Sequence, residues 1–247
     1  MHALGRAPTP AARAFAWAGA VLFLASLGYF LFSYVTRFGI VALGPLSAAA
    51  VAWDVALFSV FAMHHSVFAR VPIRNLVTRT FPHLERSVYV WVASVLLILV
   101  CALWQPVAGV AWDVRGGGTW PLRLLQALGI WLSLYSAAII DVWELSGIRQ
   151  LDSTPNGQSS GVGSFGSWEF SARGPYGWVR HPIYLGWFLV VFCVTTMTMT
   201  RLVFAVVSCV YVLIAIPFEE RSLRNTTNGA YERYRRQVRW RLLPRVY

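Results

Sequence analysis

Three polar groups interrupt an otherwise apolar C-terminal third, and their residue types suit a bipolar binding site. The first is Arg180-His181-Pro182, within GPYGWVRHPIYLGW at 174–187. Proline is favoured at the first helical position, where its missing N–H costs nothing. Pro182 is therefore expected to start a helix with His181 at or near its N-cap. The positive end of that helix favours a nearby anion. The Arg180 guanidinium can grip a carboxylate through two donors. Tyr184 and Gly186 follow as an aromatic edge and a gap one turn in. The second group is Glu219-Glu220, at the close of the next apolar run. Two acids there face the negative end of a helix dipole beside an anionic leaflet, so something at that place benefits from negative charge. The third is a short helix expected over Ala230–Arg239, with Tyr231, Tyr234 and Val238 on one face and arginines elsewhere. Cationic and anionic contacts side by side, with tyrosines above, suit a zwitterion bearing an aromatic base. A plainer account also exists. Arg180, Trp178 and Tyr184 can anchor a span at the interface, the acids can pair with Arg221, Arg224 or Arg236, and the tail helix can lie on anionic headgroups. That account leaves His181 and Gly186 without a reason.

The elements that position these groups are membrane spans. Of 247 residues, 57% are hydrophobic and 13% charged, against about 25% charged in a soluble domain; the mean hydropathy is +0.56. Six apolar segments stand out, near 14–35, 46–68, 88–110, 122–140, 183–199 and 202–217. The first three are long enough to cross a hydrocarbon core of about 30 Å. The last two are joined only by Thr200-Arg201, which predicts a tight antiparallel hairpin that brings His181 and Glu219 to one level. Asp54 is the main charge inside these segments, placed either for function or at headgroup depth. The expected fold is all-α and polytopic: about six transmembrane helices, or five with an amphipathic or re-entrant element, and a C-terminal cytoplasmic helical segment. It divides into a four-helix part (1–140), a loop (141–173), and a hairpin with its tail (174–247).

The net charge is +11 and, since lysine is absent, all 21 basic residues are arginine. They flank apolar segments, which reads as topology and lipid contact; no nucleic-acid module pattern accompanies them, so no nucleic-acid partner is expected. Only Arg37, Arg115, Arg123 and Arg201 fall on one side of a six-span arrangement, which puts both termini in the cytoplasm. The N-terminal run reads as a first span and not as a removed signal peptide. Cys101, Cys193 and Cys209 lie in apolar runs without CxxC spacing and read as small buried hydrophobes; no metal site is expected. Gly161–Gly166 is a formal GxGxxG, but no strand or helix flanks it in this Gly/Ser-rich stretch, so it reads as a cytoplasmic loop that could serve as a lid. Asn225-Thr226-Thr227 is a glycosylation sequon on the cytoplasmic side, where it stays unmodified.

Taken in order, Gly174-Pro175-Tyr176, Arg180-His181-Pro182-Ile183-Tyr184-Leu185-Gly186, Glu219-Glu220 with Leu223, and Gly229-Ala230-Tyr231 through Tyr234, Val238 and Leu243-Pro244 resemble the C-terminal half of isoprenylcysteine carboxyl methyltransferase-like and phospholipid methyltransferase-like membrane enzymes. Upstream, Met63-His64-His65-Ser66 with Ala69-Arg70, Pro82 with Glu85-Arg86-Ser87-Val88-Tyr89, and Glu144-Leu145 with Gly147-Ile148-Arg149-Gln150 are similar to the bacterial branch of methanethiol S-methyltransferases and NnrU-like proteins. The resemblance implies S-adenosylmethionine as methyl donor, bound from the cytoplasmic face of a bacterial inner membrane. It implies a donor site at Tyr176, Arg180, His181, Pro182, Tyr184, Gly186, Glu219, Glu220, Tyr231, Tyr234 and Arg235. Glu219 or Glu220 would meet the donor's ammonium. Arg180, Arg235 or the helix end would take its carboxylate, and Tyr176, Tyr231 or Tyr234 would pack on adenine. Methyl transfer asks for in-line geometry, exclusion of water and a deprotonated acceptor. His64 and His65, at the end of the second span, are the candidate proton acceptors; Glu85-Arg86 and Glu144-Arg149 could be ion pairs that position loops. The family's proline ahead of the final Leu-x-Pro region is missing in Val238–Pro244, so the tail is expected to follow its own path.

A small thiol, methanethiol above all, is the preferred acceptor, with isoprenylated cysteine carboxylates and lipid amines as rivals. Two other classes compete. A steroid-reductase-like membrane enzyme would need a nicotinamide cofactor, which the acid pair disfavours. A non-enzymatic NnrU-like accessory or transport protein should carry ionisable residues at mid-membrane, and these spans hold almost none.

Overall fold

A computed structural model describes residues 9–68, 84–140, 148 and 172–247. Gly161–Gly166, Arg70, Pro82, Glu144 and Arg149 lie outside the described residues. Within them the chain forms α1 (Pro10–Val35), α2 (Ala48–Phe68), α3 (Glu85–Leu103), β1 (Val110–Asp113), α4 (Thr119–Ile140), α5 (Pro182–Phe192), β2 (Thr196–Thr198), α6 (Met199–Thr226) and α7 (Ala230–Gln237). The two strands pair antiparallel, Val110 opposite Thr198 and Asp113 opposite Thr196.

Five helices, α1 to α4 and α6, are long and apolar enough to cross a membrane, and the chain is a polytopic, mostly helical membrane protein. The segment expected at 183–199 departs from a full span: α5 has 11 residues. Nor do Thr200 and Arg201 form the link. Both lie buried in the first turn of α6, and the chain reverses at Cys193–Thr198 instead. Two features cause this. The Thr198 side chain caps α6 by accepting a bond from Arg201 N. The Arg201 guanidinium reaches the carbonyls of Tyr34 (3.0 Å), Val35 (2.7 Å) and Thr196 (2.6 Å), so its charge is used inside the protein and not at a loop. The hairpin still closes. The Tyr184 hydroxyl reaches Glu219 at 2.9 Å, so the start of α5 meets the end of α6.

Contacts divide the chain into two compact units. One is drawn from Met1–Leu31, Ser59–Leu103 and Ile140–Ser167. In it Trp91 stacks on Phe15 at 5.4 Å and donates its indole N–H to the Phe15 carbonyl at 3.0 Å. The other holds Phe32–Phe58, Trp104–Ile139 and Trp168–Tyr247. Its core surrounds Phe204, whose ring meets Tyr34, Phe38, Phe58, Trp104 and Trp187 at 5.2–6.1 Å. Asp54 belongs to this core: it is fully buried, and its Oδ1 accepts Gln105 N at 2.8 Å. Cys101 and Cys209 are buried and Cys193 half-buried, all as free thiols.

Candidate donor-binding site

The site grows from the start of α5. His181 is the N-cap and Pro182 the first helical residue, as the residue types require. The two backbone N–H groups that precede the first helical residue are already taken. Arg180 N donates to the Trp240 carbonyl at 2.8 Å and His181 N to the Arg241 carbonyl at 2.9 Å. The tail thus runs over the helix start, which answers where its path goes. Leu242 fixes the tail by packing with Val212 and Ile216, against Tyr184, Leu185 and Phe188.

Glu220 is the hub beneath the tail. It is 1% exposed. Arg180 reaches its Oε1 through Nε and Nη2, each at 2.8 Å. His181 Nε2 lies 3.3 Å from the same oxygen, and Arg241 Nε donates to Oε2 at 3.1 Å. Arg180 also donates through Nη1 to the carbonyls of Val238, at 3.0 Å, and Arg239. A buried carboxylate needs such company, because its desolvation is otherwise uncompensated. Arg180 and Glu220 therefore satisfy each other and hold the tail. Nothing in the sequence marked Arg241 as a partner of Glu220, since it lies in extended chain without helical spacing.

Glu219 is different. Its side chain is 31% exposed. It accepts the Tyr184 hydroxyl at 2.9 Å, and His181 Nδ1 lies 3.9 Å away. The His181 and Tyr184 rings stack at 5.5 Å, with 11° between their planes. Beside Arg180 opens a cleft of about 490 Å³, lined also by Arg235, Arg236 and Arg239. Arg235 is half-exposed and pairs with Glu232 at 2.8 Å. An accessible carboxylate on a stacked His–Tyr platform and a cationic cleft thus occur on adjoining parts of one hub.

The remaining expected residues serve the frame. Tyr176, Tyr231 and Tyr234 are buried, inside the wall and not on its face. The Tyr234 hydroxyl donates to the Tyr176 carbonyl at 2.8 Å, and the Tyr176 hydroxyl to the Ser136 carbonyl at 3.4 Å. Burial pushes all three phenols well above their ordinary value of 10.0; the Glu220 charge adds to this at Tyr231 and Tyr234, and Arg180 opposes it. The gap at Gly186 is filled by α4. A Cβ there would strike Ser133 Oγ, the Gly129 carbonyl at 2.6 Å and Ser133 N at 2.9 Å. A Cβ at Gly129 would meet the Gly186 carbonyl at 2.7 Å in return. Gly186 is thus a close-crossing residue, of the kind that lets helix backbones approach in membranes.

His64 and His65 belong to the first unit. The His64 ring stacks on Tyr89 at 5.5 Å, and the Tyr89 hydroxyl lies 2.8 Å from His65 Nε2. The Arg86 guanidinium lies 5.4 Å from the Tyr89 ring centroid.

The pattern of the isoprenylcysteine carboxyl methyltransferase (ICMT) family matches residues 167–225, which span α5 and most of α6. A methanethiol S-methyltransferase of Crocosphaera subtropica is 37% identical over 194 residues, 75% of this chain and 71% of its own. That of Mycobacterium tuberculosis is 38% identical over 197 residues, 78% of each chain. Methanethiol S-methyltransferase 2 of Bradyrhizobium diazoefficiens is 33% identical over 231 residues, 92% of this chain and 86% of its own. No solved structure gives a significant match. With the His181–Glu220 hub inside the matched stretch and relatives aligned along most of the chain, the protein belongs to the isoprenylcysteine carboxyl methyltransferase family of membrane methyltransferases, on the branch of the methanethiol S-methyltransferases.

Proposed function

We propose that this enzyme moves a methyl group from S-adenosylmethionine to a small thiol, with methanethiol giving dimethyl sulfide as the preferred reaction. The observation that carries this reading is Glu219: an accessible carboxylate, braced by Tyr184 and His181, next to a cationic cleft. Bound S-adenosylmethionine would supply an electrophilic methyl on a sulfonium, whose departure leaves a neutral thioether. The chain's own residues then have separate tasks. Glu219 holds the donor's ammonium. Arg235 exchanges its exposed Glu232 partner for the donor's carboxylate, a bidentate match. Arg180, Glu220 and the buried tyrosines Tyr176, Tyr231 and Tyr234 keep the wall in place, and Pro182 and Gly186 set and pack the helix that carries it. The acceptor thiol must lose its proton as the carbon–sulfur bond forms, and His64 or His65 is proposed to take it. The names of the relatives support a small thiol as acceptor.

The segment 174–247 is proposed as the donor-binding part. With the α5–β2 stretch counted as a crossing beside the five long helices, the arginine distribution supports both termini in the cytoplasm, and a bacterial cytoplasmic membrane is the proposed location. The test is incubation of purified protein with methyl-labelled S-adenosylmethionine and four acceptors: methanethiol, a longer thiol, a farnesylated cysteine analogue and phosphatidylethanolamine. Label in dimethyl sulfide is the expected result. Label only in the farnesylated or lipid acceptor would overturn the choice of thiol, and no labelled product would overturn the activity.

A further inference from the structure

The cleft beside Arg180 holds more positive charge than a methyl donor needs. One carboxylate is matched by one guanidinium, yet four arginines line this space. Arg180 is spent on Glu220 and on tail carbonyls. Arg235 has Glu232. Arg236 and Arg239 are exposed, and among the described residues no carboxylate pairs with either. Two unpaired guanidinium groups on one rim, around a space of about 490 Å³, suit an anion larger and more charged than a carboxylate, such as a phosphate ester.

The position of the cleft says where that phosphate comes from. The 28 residues of α6 rise about 42 Å, beyond a hydrocarbon core of about 30 Å. Its last turns therefore stand among headgroups. The turn at Thr227–Gly229 reverses the chain straight into α7, which carries Arg235 and Arg236. Apolar side chains in the same tail point outward: Trp240, Leu243 and Val246 are exposed. Arginines beside exposed tryptophan and leucine are the composition of a surface seated in the interfacial layer.

We infer that the Arg236–Arg239 rim is a binding site for the phosphate of an anionic phospholipid, separate from the donor's own contacts at Glu219 and Arg235. Bound lipid would clamp α7 and the following tail against the membrane. The inference goes beyond the methyl-transfer reading and is tested without turnover. The purified protein, in mixed micelles with equal phosphatidylglycerol and phosphatidylcholine, is released for native mass spectrometry, and the retained lipid is counted. Retention of phosphatidylglycerol at least fivefold above phosphatidylcholine is expected. The double variant Arg236→Gln/Arg239→Gln should lose that preference while keeping its thermal transition. Equal retention of the two lipids by the unaltered protein would overturn the site. So would a double variant that keeps the lipid preference, or one that is folded but no longer binds S-adenosylhomocysteine, which would give the rim to the donor. Inorganic phosphate is titrated in a parallel arm, in detergent free of lipid. Raising the thermal transition there as far as phosphatidylglycerol does would overturn a lipid source in favour of a soluble phosphate.

Discussion

Arg180 and Glu220 are joined twice over, with Nε and Nη2 of the guanidinium each 2.8 Å from the same carboxylate oxygen. The pair is buried, and removal of one member leaves the other charged and without its partner. Glu220→Ala should therefore cost about 3–5 kcal/mol. The expected readout is a lower thermal transition in detergent together with faster proteolysis at Val238–Leu242. A variant with an unchanged transition would show that the pair does not hold the tail.

Glu219 tests the neighbouring role. Glu219→Gln removes the charge but keeps the shape, and Tyr184 retains an oxygen to bond. A hydrogen bond to a charged group contributes about 1.5–3 kcal/mol, so S-adenosylhomocysteine should bind ten to a hundredfold more weakly, with little change in thermal stability. Calorimetric titration measures this. Unchanged affinity would move the ammonium contact away from Glu219.

Gly186→Ala should behave in the opposite way. The added methyl meets backbone of α4 at Gly129 and Ser133, and overpacking of this kind costs about 1–3 kcal/mol. The thermal transition should fall. Protein that survives should bind S-adenosylhomocysteine normally, because the clash lies on the helix face turned to α4.

The proposed proton acceptor has a kinetic signature. His65→Gln or His64→Gln should lower kcat by about a hundredfold or more without altering donor affinity. The loss at the responsible histidine should shrink as pH rises and the thiol ionises in solution. Two variants with full kcat would remove both histidines from the mechanism.

Alkaline pH offers a test of the buried wall. The phenols of Tyr176, Tyr231 and Tyr234 keep their protons above the ordinary value of 10.0, whereas the unfolded chain releases them near it. Their contribution is thus complete below pH 10 and is lost as pH rises beyond. Each can remove up to about 1.4 kcal/mol per pH unit. The thermal transition should drop steeply above pH 10, and Tyr176→Phe should flatten that slope.

What the sequence made legible was local. Proline at a helix start and an N-cap histidine are chemical requirements of the backbone, so His181-Pro182 announced its own structure. The start of α7 near Ala230 was equally plain, and the residues before it suit the turn: Asn228 and Gly229 take positive φ values of 46° and 82°, which few residue types accept. The misread features depend on distant partners. Arg201 between two apolar runs looked like a loop, and only the carbonyls of Tyr34 and Val35, more than 160 residues away, make it a buried residue. Gly186 looked like space for a ligand because its occupant, the Gly129–Ser133 stretch, lies on another helix. Arg180 looked free for a carboxylate because the tail that uses its donors is 58 residues further along.

The shortness of α5 bears on how the protein enters the bilayer. Eleven residues are too few to be handed to lipid as an independent hydrophobic unit. The backbone at Cys193–Thr195 would expose unbonded amides and carbonyls to hydrocarbon. Beside the second unit's own residues that difficulty disappears: the Thr195 carbonyl accepts Val114 N at 2.9 Å, and β2 pairs with β1. The chain after the short helix α5 therefore takes its backbone partners from the β1 segment, and the arginine–glutamate hub at the other end of α5 stands on that support.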